Sequence, residues 1–133
     1  MMEQPRIRLG SDDAWLELAR TGGDGWQVTA DWSSCLTADF TADLSAAEAA
    51  NFAARMLSHL HTPSSVRFSA AVTPGRNNPL TLNAEPVGDG FAFFVRLTPN
   101  GDDTVCHLQM EIDPIATSEL REAFHALHAA LDE

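Results

Sequence analysis

Residues 24–35 read DGWQVTADWSSC. Successive side chains of a strand point to opposite sides. As a strand, this stretch puts Trp26, Val28, Ala30 and Trp32 on one face and Gln27, Thr29 and Asp31 on the other. A platform for stacking sugars needs aromatic rings beside polar groups. Here the tryptophans share their face with aliphatic residues, and Asp31 points away from both. The spacing therefore predicts an amphipathic strand whose tryptophan face belongs to a core or its rim. The preceding TGGDG, Thr21 to Gly25, contains an Asp-Gly pair between two alternating runs, the strongest short-range signal for a hairpin.

Working outward, Ile7 to Leu9 and Trp15 to Arg20 read as strands before this hairpin, and Leu36, Ala38 and Phe40 alternate in a strand after it. The pattern then changes. In LSAAEAANFAARMLSHLHT, Ser45 and Glu48 have the spacing of a capping box, in which each side chain satisfies the other residue's free backbone N–H. Ala49, Phe52, Ala53, Met56, Leu57 and Leu60 recur at helical spacing, which predicts a helix from Leu44 to His61, ended by Pro63.

The second half returns to strands. Val66, Phe68, Ala70 and Val72 alternate with Arg67, Ser69, Ala71 and Thr73, and further strands are expected over Leu80–Glu85, Phe91–Thr98 and Thr104–Ile112. They are joined at PGRNNP, GDG and NGDD, turn sequences that tolerate positive φ. Asp113 and Pro114 are expected to open a last helix with an apolar stripe of Leu120, Phe124, Leu127 and Leu131. The expectation is one α+β domain over residues 1–133 in the order ββββ-α-ββββ-α. Its antiparallel β-sheet has about seven or eight short strands, and two amphipathic helices pack on one face.

Charge bounds the function. Nineteen acids stand against eight bases, giving a formal net charge of −11. That field repels a phosphate backbone, so nucleic acid is not an expected partner, while a basic protein is. All eight bases are arginine, and lysine and tyrosine are absent, a composition expected of a GC-rich bacterial genome. The lack of lysine removes Schiff-base and Walker-type chemistry. No apolar run reaches the length of a membrane span, and the first residues have no signal-peptide pattern, so a cytoplasmic protein with no membrane partner is expected. Cys35 and Cys106 form no CxxC pair and read as free thiols, Cys106 buried in its strand and Cys35 more reachable.

Reactive constellations are weak. His125 and His128 lie three apart on the last helix, but neither HExxH nor a cysteine cluster supplies further ligands, so no metal or cofactor is expected. His59 and His61 lie about 200° apart on the first helix and cannot act together. No GxSxG elbow is present, GGDG lacks the spacing of a phosphate loop, and the paired aspartates fall in turns. No catalytic residue is assigned. The best candidate for a partner or ligand surface is a mixed patch of Arg67, Arg96, His107 and Glu111, all on the polar side of their strands. Their assembly requires those strands to be neighbours.

Several stretches together resemble a known group. AWLELA (14–19), DGWQVTADW (24–32), the F-x-A-D-L entry to the first helix (40–44) and the ending MEIDPIATSELREAFHALHAAL (110–131) resemble a family of uncharacterised small actinobacterial α+β proteins. That family is similar to immunity proteins of wall-associated contact-dependent toxins. The resemblance carries no catalytic motif and implies a non-enzymatic protein that binds a basic toxin. Two other readings remain open: a small-ligand domain with a pocket between sheet and helices lined by Trp15, Trp26 or Trp32, and an acidic secretion-chaperone-like dimer. Monomer and homodimer are both compatible with the sequence.

Overall fold

The structure is a computed structural model that describes residues 4–61, 66–75, 77–99, 101 and 105–132. Eight strands and two helices follow in the order β1 (Arg6–Gly10), β2 (Ala14–Gly22), β3 (Gly25–Trp32), β4 (Leu36–Asp43), α1 (Ala46–Leu60), β5 (Phe68–Ala71), β6 (Leu80–Val87), β7 (Gly90–Leu97), β8 (Leu108–Ala116) and α2 (Thr117–Leu131). This is the expected α+β order, a ββββα unit occurring twice. The strands form two antiparallel four-stranded meanders, sheet A (β1-β2-β3-β4) and sheet B (β5-β6-β7-β8), rather than one continuous sheet. β1 lies against β8, but the two share no ladder.

Turn chemistry sets the meanders. Gly23-Asp24 joins β2 to β3 and Gly88-Asp89 joins β6 to β7, and both glycines are left-handed, with φ of 54° and 58°. A glycine reaches that conformation without a Cβ clash, and the resulting twist matches that of paired strands. The β3–β4 turn uses Ser33 and Ser34 at φ of 53° and 60°, which costs an L-residue energy. It is braced on both sides: the Ser33 N–H donates to the Asp13 carbonyl at 2.6 Å and the Ser34 N–H to Asp31 Oδ1 at 2.9 Å.

The alternation seen in the sequence becomes the core. Leu16 and Leu18, then Trp26, Val28 and Ala30, face inward from sheet A; Leu80, Leu82, Phe93, Val95 and Ile112 do so from sheet B. Phe52, Ala53 and Met56 of α1 and Leu120, Phe124 and Leu127 of α2 complete one contiguous cluster. Phe52 and Phe124 meet edge to face, with centroids 5.9 Å apart and planes at 79°, and so lock the helices together. The capping box is present: the Glu48 N–H donates to Ser45 Oγ at 3.1 Å and the Ser45 N–H to Glu48 Oε1 at 3.0 Å.

Two further expectations change. Pro114 does not open α2; it lies in β8, and the helix starts at Thr117. β8 has a ladder only with β7, and the register slips there, Phe93 pairing with Ile112 but Phe91 with Ile115. A bulge in a strand free on one side accommodates a residue with no N–H. Thr117 instead begins the helix by donating its N–H and hydroxyl to the Asp89 carbonyl, at 3.1 and 2.8 Å. Cys106 is exposed, because β8 starts only at Leu108 and the ladder that would have buried the thiol does not extend to it. α1 ends at Leu60 with His61 as its cap; Pro63, the expected stop, lies outside the described residues. The NGDD turn does as well, apart from Gly101.

Candidate functional site

The opening stretch divides into two roles. Trp26 is 1% exposed and belongs to the core, whereas Trp32, on the same strand face, is 40% exposed where the core runs out. Trp15 lies on the opposite, outer face of sheet A, half-buried, with the Arg8 guanidinium 4.3 Å from its ring centroid. The three tryptophans therefore do not converge on one pocket.

Sheet A is electrically polarised. β1 carries Arg6 and Arg8, while the β3–β4 hairpin carries Asp31, Asp39 and Asp43 and no base. Among the described residues β4 is an edge, paired only with β3 in the register Trp32↔Leu36, Ala30↔Ala38 and Val28↔Phe40. Its outward residues Thr37, Asp39, Thr41 and Asp43 are all exposed. Asp39 Oδ1 accepts a hydrogen bond from Gln27 Nε2, which fixes that carboxylate on the face.

The inner side of this edge is also incompletely covered. Val28 and Ala30 on β3 are 0% and 2% exposed, but their β4 partners Phe40 and Ala38 are only partly buried. At the tip, Trp32 pairs with Leu36, itself 48% exposed, beside the exposed Cys35. Towards the other end of β4, Thr41, Ala42 and Asp43 form one wall of a cleft whose far wall is Asn77, Pro79, Pro99 and Gly101 from the sheet B loops. An open backbone edge, a row of acids, an apolar tip and an adjoining cleft thus occur together.

The sheet B patch is arranged differently. β7 and β8 are neighbours, which brings Arg96 and Glu111 onto adjacent strands, while His107 precedes β8; Arg96 Nη1 donates to Gln109 Oε1 at 3.4 Å, and Glu111 stands opposite Phe94. Arg67 precedes β5, two strands from β7, and makes an ion pair with Glu85 at 3.2 Å. The histidines also pair otherwise than by sequence spacing. His125 is 5.6 Å, ring to ring, from His61; His59 stacks on Phe68 at 4.3 Å; His128 lies 3.8 Å from Asp132. Among the described residues no three His, Cys, Asp or Glu side chains gather where one ion would bind, and no helix is long and apolar enough to cross a membrane.

The sequence predicts β4 as a strand but does not single it out as a candidate surface. A signal was present in LTADFTAD: its polar positions are only threonine and aspartate, and two of its four inward positions are alanine. That is a light inner face, suited to an edge more than to a sheet centre. No family model matches this chain, and neither a curated protein nor a solved structure does.

Proposed function

We propose that this chain is a non-enzymatic cytoplasmic interaction protein that captures a basic protein, in the manner of an immunity protein masking a basic toxin surface. The observation that carries the reading is the β3–β4 hairpin, whose own strands carry Asp31, Asp39 and Asp43 but no base, and whose tip holds the exposed Trp32 and Leu36. Protein interfaces are built around such aromatic anchors, with charge at the rim. The net charge of −11 accelerates encounter with a cationic partner, and the hairpin acids set its orientation.

The test is capture of partners from the native host's lysate by tagged protein at low and high ionic strength. It is run in parallel with an Asp31→Asn/Asp39→Asn variant. Asparagine keeps the carbonyl oxygen that the Ser34 N–H and Gln27 use, and removes only the charge. A basic polypeptide held by the wild type at low salt, released at high salt and lost by the variant is the expected result. Recovery of no basic protein, or equal recovery by the variant, would overturn the reading.

A further inference from the structure

We infer that the partner engages by strand addition. An extended segment with basic and apolar residues in alternation pairs along the open edge of β4 and becomes a fifth strand of sheet A. This rests on the reading of the hairpin as a basic-protein site and specifies its geometry.

Three observations on one strand carry the inference. First, β4 has eight residues and, among the described residues, a ladder on one side only, so its outward N–H and C=O groups form a ready template for pairing. Second, its two faces ask for different side chains at alternate positions. A strand added beside β4 places its side chains about 5 Å from those of β4. On the outer face they meet Thr37, Asp39 and Thr41, all exposed, and the Asp39 carboxylate suits arginine or lysine. On the inner face they meet Leu36, Ala38, Phe40 and Ala42, whose apolar surface the core leaves partly uncovered. Third, among the described residues β4 has a surface feature at each end. One is the exposed apolar Trp32–Leu36 tip, and the other is the cleft that Thr41, Ala42 and Asp43 share with Asn77, Pro79, Pro99 and Gly101.

Charge selects the occupant. A second copy of this chain could offer its own β4, but that pairing would juxtapose two acidic strands of molecules that each carry −11. Like charges across a strand pair destabilise it. The aspartates therefore guard the edge against self-pairing while attracting a cationic strand, so an open edge is retained without aggregation.

The probe is an acetylated and amidated alternating Arg-Val peptide of eight residues, matched to the length of β4. Its binding is measured by calorimetry beside two relatives: the same peptide N-methylated at every valine, and the same peptide N-methylated at every arginine. Backbone pairing on one edge uses alternate amides, so one methylated form must bind about tenfold or more weakly than the parent while the other stays close to it. The parent must also slow hydrogen exchange of alternate amides of β4 in the full-length protein.

If all three peptides bind equally and the Asp31→Asn/Asp39→Asn variant weakens them equally, strand addition is wrong and the acidic-site reading survives. If the parent peptide fails to bind at low ionic strength, both fall. A stable dimer of the protein alone, with β4 amides protected, would overturn the choice of occupant.

Discussion

Phe124→Ala tests whether the two ββββα units are energetically one object. Phe124 is fully buried, meets Phe52 edge to face and lines one internal void with Leu16, Leu18 and Leu82, so it sits where both sheets and both helices come together. Truncating a buried phenylalanine costs about 3–5 kcal/mol through lost transfer energy and the cavity left behind. Loss of the edge-to-face partner accounts for about 0.5–1.5 kcal/mol of that coupling and is measured by a double-mutant cycle with Phe52→Ala. At roughly 0.05–0.15 kcal/mol per residue, a chain of 133 residues is stable by roughly 7–20 kcal/mol, so the variant should still fold.

The assay is urea unfolding followed by two probes. All three tryptophans, Trp15, Trp26 and Trp32, are in sheet A, whereas Phe124 belongs to α2 in the second unit. With a slope of about 2 kcal/mol per molar urea, the substitution should lower the midpoint by about 2 M. The tryptophan fluorescence and the far-ultraviolet circular dichroism should shift together, and Phe124→Leu should recover most of the loss. A fluorescence midpoint that stays in place while the dichroism midpoint falls would show that sheet A unfolds independently of α2. The shared core would then be refuted.

Other substitutions probe local claims. Ser45→Ala removes the acceptor for the Glu48 N–H and should cost about 1 kcal/mol, lowering Tm by about 3–5 °C in a thermal melt. Ser34→Gly relieves a left-handed residue while keeping its backbone bond to Asp31, and should raise stability by about 0.5–1 kcal/mol; Ser34→Val, β-branched at φ of 60°, should lower it. Both thiols should react with Ellman's reagent without denaturant, since Cys35 and Cys106 are exposed, and reaction of one alone would contradict the placement of Cys106.

Local signals in the sequence predicted local structure well. The capping box at Ser45 and Glu48, the Asp-Gly hairpins and the two-residue alternation of Trp26 to Ala30 each depend on neighbours a few residues away, and the structure contains all three. What was not legible depends on distant partners. Whether Pro114 starts a helix or ends a strand is decided by the β7 ladder and its bulge, and whether Cys106 is buried depends on how far that ladder extends. The break into two sheets is equally non-local, since it turns on β1 meeting β8 without pairing.

The candidate surface shifted for the same reason. Arg67 and Arg96 alternate outward like any polar strand residues, but strand order separates them and gives Arg67 to Glu85. Nothing in LTADFTAD states that its strand has no second neighbour among the described residues, and that open edge is what the proposal of a partner surface rests on.

Hydrogen-exchange mass spectrometry on the full chain, with and without the basic protein captured from the host, measures that surface most directly. The account predicts that protection is greatest over residues 36–43 and at the Trp32 tip, and that it fades as salt is raised. Protection centred on the outer face of β7 and β8, around Arg96 and Glu111, with residues 36–43 unchanged, would contradict it.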